Sequence, residues 1–375
     1  MGLEVIPVRG WRDRREFVDL PFRLHANAER WIPPLKLERQ LFLTPRFNNW
    51  FEHGEAELFL ARRDGRTVGR ISAHVDRNLN DYQGNDWGLF GFLEFEEDPE
   101  ALRALLDAAA AWLRARGRGR MVGPMDFTMN DEVGVLIEGF DREPFIKQPW
   151  HPPYYQRLCE QQGLAKAIDL WMWELHIDGR DKIVPGIVEM AAKLEPEHGI
   201  RIRHMTRRRL RRDLDLFAET YNEAWKDNWG FTPYTDRDLD TYAQELQLVF
   251  DPNWFMVAEK VDTGETVGIA ITVPDVNQVL QRMKGRLLPL GWWHFLRRRK
   301  IVDRVRVGFL GVKPEYQHTG VAAGLYIEHF DMAEVTPQKW GEMGWILETN
   351  DAMNRGMEGM GGRVAKRYRL YERTL

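Results

Sequence analysis

Two stretches of this chain repeat each other at a fixed distance, and that repeat restricts the possible folds more than any other feature. Residues 57–75 hold two apolar runs around Asp64-Gly65, the pattern of a β-hairpin. Residues 254–273 repeat the order, and Gly65-x-Thr67-Val68-Gly69 returns as Gly264-x-Thr266-Val267-Gly268. Further on, Gly163-Leu-Ala-Lys166 and Gly362-Arg-Val-Ala-Lys366 each lead into a strand pattern. From 65 to 264 and from 163 to 362 the offset is the same, 199 residues. The starts agree as well: residues 3–8 and 201–206 are short strand patterns followed by helical ones, and Leu210, Leu214, Phe217, Tyr221 and Ala224 fall near one helical face. Agreement at three places points to a duplicated unit. Each half reads as strand, helices, hairpin, strand, helix, strand, helix, strand.

A chain of 375 residues is longer than a single core usually sustains. The expected division is therefore 1–179 and 180–375, with the boundary in the polar, turn-rich stretch 178–182 and an insertion at 277–304 that the first half lacks. The single cysteine, Cys159, excludes an intrachain disulfide and a multi-cysteine zinc site, which fits a reducing compartment. A net charge of -4 gives no global attraction to nucleic acid. Residues 1–10 lack the basic start and apolar run of a secretory signal, and no run of about 18 apolar residues occurs anywhere. The expectation is a cytoplasmic protein without a transmembrane segment. The histidines are scattered without ligand spacing, so no metal site is expected.

The chemistry concentrates in the second half. Residues 306–312 form an apolar strand pattern, 313–322 a glycine-bearing loop, and 323–333 a helical composition. Such a junction offers an anion several unpaired backbone N–H groups at a helix N-terminus, reinforced by the helix dipole. Gly320 and Ala322 allow phosphate oxygens close to the backbone.

In this context Leu310-Gly-Val-Lys-Pro-Glu-Tyr-Gln317-His-Thr-Gly320-Val-Ala322 resembles the acyl-coenzyme A pyrophosphate motif of the GNAT acyltransferase superfamily, Gln/Arg-x-x-Gly-x-Gly/Ala after a Val-x-Pro strand end. The resemblance implies two tandem GNAT-like lobes of the α/β (α+β) class, each a mixed, mostly antiparallel sheet flanked by helices. It further implies acetyl-CoA or another acyl-CoA as co-substrate, bound by a motif that opens at Gln317, with its pyrophosphate on the amides of His318, Thr319, Gly320, Val321, Ala322 and Ala323. Pantetheine would lie along Phe309, Leu310, Gly311 and Val312, and the next strand, residues 345–350, and its helix would add Asn350 and Asn354. One departure stands out. Seven residues after Asn350, where many members carry a Tyr that protonates the leaving thiolate, this chain has Met357, so Tyr368, Tyr371 or a water would have to replace it. Glu348 is a candidate base for the amine, against the alternative of a structural strand-end carboxylate.

In the first half the equivalent place reads Gly91-Phe-Leu-Glu94-Phe-Glu96-Glu97-Asp98-Pro99-Glu100. Asp98 would cap the helix itself with Pro99 in its first turn, and five carboxylates would repel a diphosphate. The first lobe is therefore expected to lack coenzyme and to shape the substrate cleft. Trp225, Asn228, Trp229, Phe231 and Tyr234 are candidates for overhanging the acceptor, with core packing as the alternative.

In the insertion, an apolar aromatic run around Trp292 and Trp293 ends in the four cations Arg297–Lys300, which would suit an acidic carrier protein or a membrane surface. The plainer expectation is a lid packed on its own lobe. Taken together, the resemblance implies transfer of an acyl group, by default acetyl, from coenzyme A to an amine by direct attack. A non-catalytic acyl-CoA sensor or an interaction protein is the alternative.

Overall fold

A computed structural model describes residues 2–226 and 228–375, the side chain of Asp236 excepted. The chain forms two compact units, the first made of Met1–Leu170, Val279–Leu296 and Lys366–Leu375, the second of Trp171–Gln278 and Arg297–Ala365.

In the first unit the strands Leu3–Pro7, Gly54–Arg63, Arg66–Asp76 and Trp87–Phe95 pair antiparallel in chain order. Trp87–Phe95 then pairs in parallel with Arg120–Gly123. The parallel step needs a crossover, supplied by the helix Pro99–Arg114. That helix buries Ala101, Leu102, Leu105, Leu106, Ala109 and Leu113, spaced three and four apart, against the sheet. Each such leucine removed from water contributes about 1.5–3 kcal/mol. Gly69 faces Leu105, leaving no room for a Cβ and so bringing helix and sheet into contact.

The second unit repeats the plan. Its strands Ile200–His204, Phe255–Lys260, Thr266–Pro274 and Arg304–Val312 pair antiparallel, and Arg304–Val312 pairs in parallel with Trp340–Leu347. The crossover here is the helix Val321–Val335. It is apolar on nearly every side because a second helix, Pro185–His198, covers it, and Gly324 admits Leu194 and Ile202 against its backbone. The α/β class with mostly antiparallel sheets flanked by helices is what the repeat and the resemblance predict.

The halves of the sequence and the compact units do not coincide. The strand Ala165–His176 begins in the first unit and ends in the second, while the end of Arg363–Thr374 pairs with Arg120–Gly123 and Val135–Glu138 of the first unit. A strand completes whichever sheet edge its backbone meets, so the linear division at 179/180 does not describe the sheets. The insertion also departs from expectation. Rather than lying on its own lobe, Val279–Leu296 belongs to the first unit, where Gly285 abuts Phe22, Gly285 O accepts from Lys36 N, and Gln281 donates to Glu143.

Candidate functional site

The pairing of Arg304–Val312 with Trp340–Leu347 runs from Arg304↔Trp340 to Val307↔Met343 and stops there, although both strands continue. The edge of Gly308–Val312 facing the diverging strand is thus left without a strand partner. On its other edge a bulge separates Ile271↔Phe309 from Thr272↔Val307, leaving Gly308 unpaired. Gly308 is exposed in mid-strand, and a Cβ there would meet only Ile271 O at 3.6 Å. A glycine in a strand interior commonly marks a close approach of backbone or ligand.

Beyond the strand, Pro314–Thr319 makes a short 3-10 turn that leads to Gly320 at φ 85 and then to the helix Val321–Val335. No side chain caps this helix, and its first backbone return bond is Gly324 N to Gly320 O at 2.9 Å. The amides of Val321, Ala322 and Ala323 carry the positive end of a 15-residue helix dipole without a side-chain acceptor. Gly320 is needed twice, for its left-handed φ and because a Cβ would sit 3.0 Å from Met190 O. Gln317 and His318 are exposed, Ala322 is half-buried, and Thr319 is buried with its hydroxyl on Tyr316 O. Lys313 contributes no free charge. Burial opposes its charge, but Glu219, Glu223 and Glu265 around it raise its pKa.

The first unit supplies an internal comparison. The repeated glycines Gly69 and Gly268 pair with Phe95 and Val312, and Gly91 stands as many residues before Phe95 as Gly308 does before Val312. At Gly91 a Cβ would meet Met125 O at 1.9 Å, Met125 N donates to Phe90 O, and Phe92 N donates to Asp126 Oδ1. The strand edge left open in the second unit is thus filled by the chain itself in the first. The following helix is capped too: Asp98 accepts from the amides of Glu100 and Ala101, with Pro99 in the first turn.

Around the open strand, several predicted cleft residues pack together. Trp225 lies over Gly311, which has no room for a Cβ, and Trp225 and Tyr221 flank Phe309. Phe231 and Tyr234 pack on Tyr221. Asn228 and Trp229 are half-buried in the following loop, and Asp227 of the same stretch lies outside the described residues. Leu310 and Val312 are buried, and Leu310 helps line an apolar recess with Val305, Val307, Tyr326, Phe330 and Met343. His329 at its edge is neutral: burial lowers its pKa, Nδ1 donates to Leu325 O and Nε2 accepts from Thr272.

Other predicted residues are engaged elsewhere. Asn350 caps the helix Asp351–Gly359 by accepting from Met353 N. Asn354 is buried, accepting from Trp173 Nε1 at 2.9 Å and donating to Leu347 O at 3.2 Å, so its amide holds the strand end rather than facing a ligand. Glu348 is half-buried in the turn just past the end of Trp340–Leu347. Tyr368 and Tyr371 are fully buried in the first unit, their hydroxyls donating to Pro149 O and Glu160. Burial, with Cys159 and Glu160 nearby, raises the Tyr371 pKa well above the ordinary range. Neither is placed as an acid at the open strand, because each hydroxyl is already spent. Met357 is buried in the core of the second unit.

Sequence reasoning missed two charged groupings. Arg304, with Asp275 at 2.7 Å, and Arg306, in register with Glu342, are buried within the paired stretch of the two strands. In the first unit Glu94 accepts from Tyr155 at 2.7 Å and binds His25 at 2.8 Å. Burial opposes its ionisation, but His25 and then Arg70 bring its pKa down to about 2. Alternating Arg residues in an apolar strand were the available signal for the first; the second is assembled from segments some seventy residues apart. Among the described residues no group of three or more His, Cys, Asp or Glu could hold a metal ion, and no helix is long and apolar enough to cross a membrane.

No protein-family model matches the chain. It is 38% identical over 382 residues to a protein named bacterial ceramide synthase from Caulobacter vibrioides, covering 100% of this chain and 98% of that one. It is 33% identical over 374 residues to protein YghO of Escherichia coli, covering 97% and 93%. Among solved structures, a tandem GNAT protein from the clavulanic acid biosynthesis pathway superposes with TM-score 0.58 at 14% identity, over 100% of this chain and 98% of that chain. A GCN5-related N-acetyltransferase from Sphaerobacter thermophilus gives 0.55 at 15% identity, over 99% and 95%.

Proposed function

Since the chain belongs to one family with the Caulobacter protein and YghO and has a GNAT fold, we propose that it transfers a fatty acyl group from coenzyme A to the amine of a long-chain amino alcohol. The observation that carries the coenzyme part is the slot along Gly308–Val312, open on one edge and ending at the uncapped helix N-terminus behind Gly320. An extended pantetheine arm matches the edge of a strand, and a diphosphate matches the helix amides. The lipid part rests on the relative's name, ceramide being the N-acyl amide of a long-chain amino alcohol.

Coenzyme A supplies the activated acyl thioester. The amides of Val321–Ala323 hold its diphosphate, and Gly320 gives them clearance. The backbone of Gly308 and Phe309 at the bulge is aimed at the thioester carbonyl, where N–H groups stabilise the oxyanion that develops as the amine attacks. The C–N bond forms as the C–S bond breaks, and the proton shed by the amine ends on the thiolate sulfur. With Met357 buried and Tyr368 and Tyr371 committed, water carries that proton. The first unit binds no coenzyme, its strand edge being filled by Met125 and Asp126 and its helix capped by Asp98.

The test is thiol release with acetyl- and palmitoyl-coenzyme A against an amine panel that includes sphinganine. Release that requires a long-chain amino alcohol supports the proposal. The missing Tyr at position 357 favours a second reading, an acyl-coenzyme A sensor, which gains if coenzyme binds and no amine releases thiol.

A further inference from the structure

Between Val276 and Val302 the chain contains no Asp or Glu and seven Lys or Arg. Within that stretch the segment of the first unit has two unlike sides. Val279 and Met283 are buried, Gly285 is pressed against Phe22, and Gly291 closes on Arg286 O, so the segment is held from beneath. Its other side turns large apolar groups to solvent: Leu288 is 71% exposed, Leu290 70% and Leu296 61%, with Leu287, Trp292 and Trp293 above 40%. The patch continues onto the helix Lys36–Phe42, whose Leu37 is 62% exposed and shares a shallow pocket with Arg286, Arg15 and Lys36.

We propose that this face docks on the surface of a lipid bilayer bearing anionic headgroups, with the leucines and the tryptophan pair among the acyl-chain ends and Arg282, Lys284 and Arg286 at the phosphate level. Three observations favour a bilayer over an acidic protein partner. The exposed groups from Leu287 to Leu296 are large and apolar, without a carboxylate among them of the kind a protein interface rim intersperses. Trp beside Leu next to cations is the composition that partitions at a membrane interface, where the indole ring has an apolar body and a polar edge. Between Val276 and Val302 no carboxylate opposes anionic headgroups, and Asp19, which lines the pocket at Leu37, is offset by its ion pair with Lys36. This inference does not depend on the acyl-transfer reading.

Co-sedimentation of the full chain with vesicles tests it, using phosphatidylcholine alone and phosphatidylcholine with one third phosphatidylglycerol. The expected result is binding to the anionic vesicles at least tenfold stronger than to the neutral ones, and weakened as salt is raised from 0.1 to 0.5 M. L288D/L290D, at the most exposed positions, lowers binding to anionic vesicles at least tenfold while its circular dichroism and melting stay those of the parent. R282E/K284E/R286E abolishes the preference for anionic vesicles. Failure of the parent to sediment with either vesicle, undiminished binding by L288D/L290D, or capture by a purified acidic carrier protein without vesicle binding each overturns the proposal.

Discussion

Replacing Gly320 by Ala separates the fold of the second unit from its proposed ligand. At φ 85 a Cβ meets its own backbone, which costs about 1–2 kcal/mol. The added methyl also stands 3.0 Å from Met190 O, so the loop must shift by a few tenths of an ångström. That shift moves the Val321–Ala323 amides. In the parent, coenzyme A at about 100 times Kd stabilises by about 2.7 kcal/mol, which for a unit of this size raises Tm by about 5–11 °C. A charge-assisted hydrogen bond to phosphate is worth about 1.5–3 kcal/mol. Loss of one at the upper end takes the same ligand concentration close to the new Kd, and the stabilisation falls to about 0.4 kcal/mol, or about 1 °C. Gly199 is the matched control. It ends the helix Pro185–His198 at φ 62, and a Cβ there meets nothing within 4 Å. Thermal melts of G320A and G199A with and without coenzyme A are the assay: both variants melt lower alone, and only G320A loses the ligand increment. An undiminished increment in G320A refutes the assignment of the diphosphate to these amides.

Three further outcomes are expected. N354A leaves the buried Trp173 Nε1 without its acceptor and lowers stability by about 1–3 kcal/mol in urea titration, while the coenzyme-induced Tm increment stays the same. D275A strips the buried Arg304 of its carboxylate and costs about 3–5 kcal/mol, read from the urea midpoint of the second unit. Burial holds His74 down to about 3 and His151 to about 4, whereas each protonates near 6.5 when unfolded. The unfolded chain therefore binds more protons as pH falls from about 6.5 to 4, and stability drops over that window by about 1.4 kcal/mol per unit for each histidine. The urea midpoint at pH 7.5 against pH 5.0 reads the drop, and H74Q lessens it.

What the sequence revealed follows from how local each cause is. Asp98 and Pro99 could be read as a cap because an Asx side chain reaches only the next two or three amides. Gly320 was legible for the same reason, its role being set by its own φ and a helix that starts one residue later. The spacing from Asn350 did locate a helix, yet the roles of its asparagines were decided by Trp173 and Leu347, which no spacing rule names. Gly308 was passed over because its significance lies in where Trp340–Leu347 stops pairing. Tyr368 and Tyr371 looked available because their pairings, with Leu136 and with Gly123, each reach back more than two hundred residues. The Glu94, His25 and Tyr155 grouping escaped notice likewise, each member being unremarkable in its own segment.

The allegiance of Lys366–Leu375 to the first unit bears on how the protein is made. A ribosome that has finished Leu170 must add roughly two hundred more residues, at about 5–20 per second, before the strand that pairs with Arg120–Gly123 leaves the exit tunnel. Until then Arg120–Gly123 and Val135–Glu138 wait as bare edges, open to pairing with the wrong chain. Nascent copies should thus lean on chaperones until synthesis is complete, and severing the gene between its two repeats would yield two fragments that each keep a strand belonging to the other.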